Sequence, residues 1–368
     1  MFGNIFGGKP KGLGVEIGSE RINIVEMRQA GQSYKLVNYA TTELPEGVVE
    51  EGRITDPIAL GEVIRELLAV NKIKLKKAAT AVPGRETVSR LIKLPAEISD
   101  EELRDLILNQ EASLYLPFPR EDADVDYQKL GISLDDDGIE RQEVLMVATP
   151  KEVTDTYLQA LQVANLDADI VEVTSFALIR TLHSSLTRFS SLAEGVAILD
   201  IEYEATEITI AVDGIPQFSR TVAIGTATLQ NAQLRAINLP PRSTTNLEDL
   251  QELVVPIQTM DTAGLAGMGG GSPGDAAVLR VLSDLADELR RSIDFHCGQT
   301  QGADVVHLLI AGPGACIQNL DEFFRQRLGI DTEQIDPLQV LNVKSDRELQ
   351  PYQRMSLAIA LGLGVREA

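Results

Sequence analysis

Basic side chains are scarce: 33 Lys and Arg stand against 55 Asp and Glu, a formal net charge of −22 over 368 residues. So negative a surface repels phosphate backbones, and no basic cluster offsets it, which argues against a nucleic-acid partner. Cysteine is nearly absent. Cys297 and Cys316 cannot build a disulfide framework and point to a reducing cytosol. The three histidines, His183, His296 and His307, are scattered without metal-ligand spacing, and His307 falls in an apolar strand pattern, where it reads as a core residue. No apolar run reaches the ~20 residues of a spanning helix; the longest, Leu357 to Val365, is about half that. The first ten residues lack the charged start, apolar stretch and small-residue site of a secretory leader. Neither membrane insertion nor export is expected, and any membrane association must come through a partner.

Several catalytic signatures are missing too. There is no G-x-S-x-G nucleophile elbow. Gly3-Asn-Ile-Phe-Gly-Gly-Lys9 resembles a P-loop, but Pro10 replaces the Ser/Thr that would ligate magnesium, and no strand precedes it. Gly269 to Gly274 satisfies G-x-G-x-x-G only inside a glycine-rich stretch, again without a preceding strand.

What is present is a globular composition, 44% hydrophobic and 24% charged, with a length that suggests two domains at about 150 residues each. Leu13 to Gly18 and Arg21 to Glu26 alternate apolar and polar residues around a Gly-Ser-Glu turn and read as a β-hairpin. Ser33 to Thr41 reads as a third strand. Asp56-Pro57 caps and opens an amphipathic helix to Val70, and Ala78 to Val82 is a buried strand ending at Pro83-Gly84. From about 85 to 165 a compact α/β module intervenes. It comprises strands at 88–94, 126–130 and 143–148, a helix opened by the Ser99/Glu102 capping box, and a helix from Pro150 to Ala164. A long helix from Thr174 to Ser185 follows.

The opening pattern then recurs. Val196 to Asp200, Thr206 to Val212 and Pro216 to Val222 repeat strand, acidic residue, turn, strand, turn, strand. Glu16 and Asp200 take equivalent places half a chain apart, which suggests two related domains facing one another. Residues 240–275, with Pro240-Pro241, Ser-Thr-Thr-Asn and the Gly264 to Gly274 run, are expected to form a mobile excursion. Asp275 to Cys297 carries an apolar stripe and is the longest helix. Val305 to Ala311 is a buried strand that Gly312-Pro313-Gly314 turns into a helix reaching Leu328.

Hairpin turns of this kind can wrap backbone N–H groups around phosphate oxygens beside an acidic side chain that holds magnesium. Gly18-Ser19 after Glu16 is one such turn and the segment after Asp200 is its repeat. Gly312 and Gly314, between strand and helix, offer a third element, where a helix N-terminus favours a nucleotide.

This order resembles the actin-like ATPase superfamily, and within it the PilM family of type IV pilus assembly proteins, over essentially the whole chain. The resemblance is carried by Gly14 to Ser19 with Ile24 to Glu26, Leu116-Pro-Phe-Pro119 with Asp126-Tyr-Gln128, and Val173 to Leu178. Ser219 to Gly225 and Glu288 to Phe295 complete it. No counterpart of the amphipathic C-terminal helix of the division protein FtsA follows Leu361 to Val365, which favours the pilus branch. The implied fold is α/β, an actin-like (ribonuclease H-like) two-domain fold with an inserted α/β subdomain in the first domain. Residues 1–84 and 166–194 would form subdomain 1A and 85–165 the insert 1C. Residues 195–228 and 299–368 would form 2A, with its last helix returning towards 1A, and 229–298 would form 2B.

The resemblance further implies an ATP and magnesium site built from Glu16, Gly18, Ser19, Asp200, Thr206, Gly225, Glu288, Ser292, Gly312 and Gly314, with Glu16 and Asp200 on the metal. Glu16 stands where the family has Asp, and three further positions depart from that pattern. Asn23 replaces a common Lys, Glu202 replaces the glycine of the second phosphate segment, with Glu204 two residues on, and Pro313 deletes an N–H. Two like charges at 4 Å repel by roughly 4 kcal/mol at an effective dielectric near 20, so Glu202 opposes nucleotide phosphates. The expected function is a cytoplasmic scaffold of the pilus assembly and twitching-motility machinery. It would dock the cytoplasmic N-terminal peptide of a PilN-like inner-membrane protein beside the insert, relay contacts to the assembly motors and platform, and sit at the inner face of the membrane through that partner. The alternatives are an active ATPase forming an FtsA-like division filament and, on the same fold, a sugar kinase.

Overall fold

The computed structural model describes residues 11–31, 33–135, 137–189, 191, 193–257, 272–299 and 303–366. β1 (Lys11–Ile17) and β2 (Arg21–Ala30) form the expected hairpin, closed by Gly18 N–H donating to Arg21 O at 2.9 Å. β3 (Ser33–Glu43) pairs antiparallel with β2. A two-residue pair, β4 (Val49–Glu50) and β5 (Arg53–Ile54), leads to the helix Pro57–Val70. Asp56 caps that helix by accepting from Ile58 N and Ala59 N at 3.1 and 2.9 Å, with Pro57 at the position that needs no N–H. β6 (Lys77–Val82) then runs parallel to β1.

β7 (Val88–Pro95), β8 (Ala123–Leu134) and β9 (Glu140–Pro150) make a separate antiparallel sheet in the order β7-β9-β8. The Ser99/Glu102 capping box opens the helix Asp100–Asp105, which continues through one π-helical turn, Leu106–Glu111. Leu103 and Ile107 bury against Ile92, Val144 and Met146 in a core of their own. The helix Lys151–Val163, which the sequence pattern groups with this module, packs elsewhere. Its Val153, Tyr157, Ala160 and Leu161 share a core with Leu60 and Ile64 of the first helix. The two helices approach at Gly61, where a Cβ would stand 2.5 Å from Ala160 O.

β10 (Asp167–Val173) is a strand without a clear sequence signal, since its first half reads Asp-Ala-Asp. It pairs parallel with β6. The long helix expected over 174–185 breaks at Leu182 into Thr174–Thr181 and His183–Leu186.

β11 (Glu194–Ile201), β12 (Thr206–Val212) and β13 (Ile215–Val222) repeat the first three strands. β14 (Asp304–Ala311) and β15 (Asp331–Gln334) extend the second sheet in parallel. Its order, β13-β12-β11-β14-β15, matches β3-β2-β1-β6-β10 of the first sheet. In register, Glu16 faces Asn23 and Asp200 faces Glu207, each one residue before its strand ends. The chain then crosses back: β16 (Val343–Ser345) pairs with β3.

Two further expectations need correction. Residues 240–257 are held down, because Asn246 caps the helix Leu247–Glu252 and Leu247, Leu250, Leu253 and Val255 enter the second core. The Gly264 to Gly271 run lies outside the described residues. The Gly312 turn opens no long helix. A short 3₁₀ turn, Pro313–Cys316, ends there, and the helix Leu320–Leu328 starts only after a left-handed Asn319. The long helix Pro273–Gln299 does bury the expected stripe of Val278, Leu282, Leu285 and Leu289.

The last helix, Ala358–Arg366, packs on β1 and on the helix Thr174–Thr181 at very close range. A Cβ on Gly14 would stand 2.2 Å from Ala360 O, and one on Gly362 would stand 2.0 Å from Ala177 O. Both obstacles are backbone and cannot swing aside. Gly362→Ala therefore loses about 1–3 kcal/mol despite alanine's better helix propensity, read as a lower urea midpoint at unchanged slope. An unchanged midpoint would show that the helix does not dock this tightly.

Candidate functional site

Glu16 and Asp200 line one small interdomain cleft, with Gly18 and Ser19 of the first hairpin and Glu202, Tyr203, Glu204 and Glu207 of the second. Glu16 is buried, and its Oε2 accepts from Asn23 Nδ2 at 3.3 Å and from Ala360 N at 3.2 Å. Asn23 also donates to Ser356 O at 2.9 Å and accepts from Thr41 Oγ1 at 2.9 Å. The residue expected on magnesium is thus committed to the first turn of the last helix. Burial, then repulsion from Asp200, pushes its carboxyl up to about 8.

Asp200 is buried, and its Oδ1 has no hydrogen-bond partner. Burial, then Glu202 and Glu207, holds its carboxyl well above the ordinary range. Glu202 is likewise raised by desolvation, then by Glu16 and Glu20. Glu207 is raised by desolvation, against hydrogen bonds from Ser219 and Thr174 that oppose the shift.

Four backbone donors around the cleft are engaged within the protein. Gly18 N–H closes its own turn, and Glu202 N–H donates to Ala205 O at 3.1 Å. Thr226 N–H and Ala227 N–H, at the start of the helix Thr226–Ala236, donate to Glu202 O and Tyr203 O at 2.8 and 3.0 Å. Gly225 lets that helix sit against the hairpin, since a Cβ there would stand 2.2 Å from Tyr203 O. Thr206 is buried and donates to Ile224 O at 2.6 Å.

Gly312, with φ of 76°, lies so close to the acids that a Cβ would stand 2.6 Å from Asp200 Oδ1, while Gly314 packs on Ile201 beside Pro313. Glu288 and Ser292 are not brought to the cleft. Glu288 pairs with Arg220 at 3.0 Å and with Arg291, and Ser292 Oγ donates back to Glu288 O at 2.9 Å. The sequence reading missed Gly84, Arg85, Thr174 and Glu207, which also line the cleft. Only Glu207 left a signal, as the register equivalent of Asn23.

A nucleotide does not fit this arrangement. The cavity is about 80 Å³, against roughly 300–1,000 Å³ for a ligand pocket and roughly 30 Å³ for each water. Glu16, Asp200, Glu202, Glu204 and Glu207 line it against the cation Arg85. Asp200 Oδ1 could take a water or a cation. Among the described residues, however, no group of three or more His, Cys, Asp or Glu side chains is arranged to hold a metal.

A larger groove, about 470 Å³, opens between the β8–β9 face of the insert and β10. Leu145, Val147, Val171, Val173 and Phe176 give it an apolar floor, and Asp124 and Asp126 stand on its rim. At one end Glu172 is gripped by Arg180, with contacts of 2.6 and 2.8 Å, and by Arg366.

Compared with known families, residues 14–252 and 260–368 match the model of type IV pilus assembly protein PilM. The chain belongs to the PilM family. Among solved structures, a PilM-PilN type IV pilus biogenesis complex is 24% identical, with a TM-score of 0.79 over 98% of this chain and 99% of that one. The ethanolamine utilization protein EutJ from Carboxydothermus hydrogenoformans is 16% identical, with a TM-score of 0.55 over 97% and 89%. MreB5 of Spiroplasma citri bound to ADP is 10% identical, with a TM-score of 0.52 over 96% and 94%. The fold is that of the actin-like ATPases, and the PilM match sets the chain apart from the division-filament and sugar-kinase readings.

The buried acids give stability a definite pH dependence. Their folded-state values lie above the unfolded ones, so the stability tied to protonation is complete below the ordinary glutamate value of 4.5 and is lost as pH rises through the folded values, about 8 for Glu16. The melting temperature should fall between about pH 5 and pH 8. Glu202→Gln should flatten that slope and raise the melting temperature at the alkaline end. A flat wild-type profile would mean that these carboxyls titrate as if exposed.

Proposed function

We propose that this protein is an actin-like scaffold of the type IV pilus assembly machinery that docks a short N-terminal peptide of a PilN-like inner-membrane protein. The observation that carries this reading is the PilM family match over 14–252 and 260–368, which spans both actin-like halves and the insert. The groove between the insert and β10 supports it. Its apolar floor and acidic rim suit an extended peptide that alternates apolar and basic side chains. The name of the similar PilM-PilN complex supports the choice of partner.

In this reading the protein is cytoplasmic and held at the inner face of the membrane by its partner, passing contacts on to the assembly motors and platform. No helix among the described residues is long and apolar enough to cross a membrane. A net charge of −22 also disfavours direct contact with anionic headgroups. The nucleotide site is degenerate: ATP and magnesium contribute no turnover, because the cleft offers a triphosphate neither room nor cationic charge.

Calorimetric titration with the synthetic partner peptide tests the docking. Val147→Arg, which fills the groove floor and adds a like charge, should weaken binding by more than about tenfold. Asp126→Lys on the exposed rim should cost only about threefold and lower the salt dependence. Steady-state ATP hydrolysis should stay at the buffer blank with or without peptide. Absence of peptide binding would refute the docking, and measurable turnover would restore the ATPase reading.

A further inference from the structure

We infer that the interdomain cleft is latched shut by the chain's own carboxylates, with Glu204 and Glu207 occupying the space between the hairpins that a nucleotide's phosphates would need. This inference stands on the cleft alone and is independent of peptide docking.

Three ties cross from the first half to the second. Ser19 Oγ, on the first hairpin, donates to Glu204 Oε2 at 2.8 Å, with Arg85 Nη1 3.8 Å from the same oxygen. Thr174 Oγ1, at the start of the helix beneath the cleft, donates to Glu207 Oε2 at 3.0 Å. Gly84 lies flat against the same carboxylate, where a Cβ would stand 2.2 Å from Glu207 Oε1. On the third side, Thr245 N–H donates to Glu20 Oε2, and Arg21 Nη2 donates to Thr245 O at 3.3 Å.

A carboxylate oxygen accepts hydrogen bonds from a hydroxyl and a guanidinium as a phosphate oxygen does. Glu204 therefore takes up, from within the chain, the Ser19 hydroxyl that would otherwise await an anion, and stands in ion-pair range of the Arg85 guanidinium. Beneath the cleft, whose lining includes Ile359, an apolar core with residues from both sheets is formed by Ala79, Ala177, Val196, Ile198, Leu309 and Ile359 itself. The halves are thus joined along a hydrophobic hinge and tied across its open edge. Closure needs no ligand, and a nucleotide would have to break the ties in order to enter.

The Thr245 amide is a built-in reporter, because it is buried and donates across the cleft. Hydrogen exchange of the full chain should show it protected, and unchanged by millimolar Mg-ATP. Glu204→Ala with Glu207→Ala should speed its exchange by about tenfold, the factor expected when about 1.4 kcal/mol of charge-assisted hydrogen bonding is lost. Ser19→Ala, which deletes one exposed-side hydroxyl, should speed it a few-fold and decides the matter if the double variant unfolds. Glu204→Gln, which keeps the acceptor, should stay near wild type. Exchange in Ser19→Ala equal to wild type, or wild-type exchange slowed tenfold by Mg-ATP, would overturn the latch.

Discussion

The last helix is the constraint on which the rest of the molecule depends. Ala358 and Ile359 sit in the core shared by both sheets, while Ala360 and Leu361 face Val25 and Met27 of the first. Each fully buried Leu or Ile contributes roughly 1.5–3 kcal/mol, so this short apolar helix joins the halves more firmly than any polar contact in the cleft. Its seat requires glycine at Gly14 and Gly362, and its first turn requires an acceptor. Glu16 supplies that acceptor, and raising its carboxyl does not prevent it, because a protonated acid still accepts through its other lone pairs. The side chain whose position suggests a metal ligand therefore acts as a helix cap 344 residues away in sequence.

Burying several carboxyls together is costly, and the fold meets the cost in two ways. Some acids are paired: Glu172 with Arg180, and Glu20 with Arg21 at 3.4 Å. For others, Glu16, Asp200 and Glu202, burial and neighbouring acids raise the carboxyl values, which favours the uncharged form. A protonated carboxyl is a weak magnet for a metal and no repellent to a neighbouring acid. Raised in this way, these acids are compatible with a compact cleft.

The repeat was legible because it rests on local patterning. Alternation at 13–26 and 196–212, with an acid one residue before each strand end, places Glu16 and Asp200 correctly on paired sheets. Asp56-Pro57 and Ser99 with Glu102 carry their own caps and mark their helices for the same reason. What stayed hidden is decided by distant packing. Val153 and Leu161 are as apolar as any insert residue, and only their shared core with Leu60 and Ile64, with the close approach of Ala160 to Gly61, assigns the helix to the first half. β10 begins with two aspartates because its edge is open. The partners that define the cleft, Ser19 with Glu204 and Glu20 with Thr245, lie 185 and 225 residues apart, beyond any motif. Glu288 and Ser292 came from the resemblance, and here Glu288 pairs with Arg220 while Ser292 bonds back to its own helix.

Thr174 connects the two cavities. It stands between Val173 and Phe176, which floor the larger groove, and its hydroxyl holds Glu207 in the cleft. Gly84, whose N–H donates to the same hydroxyl at 3.2 Å, follows Val82 of the groove and precedes the insert. The strand that enters the insert and the strand and helix that leave it are therefore fixed to one another at the latch. A groove of this kind binds an extended peptide well only if its walls keep their spacing, because each degree of freedom frozen on binding subtracts from affinity. Tying the cleft with internal carboxylates fixes that spacing without a ligand. In an actin-like fold, a cleft tied across by its own side chains can hold that spacing by internal contacts alone.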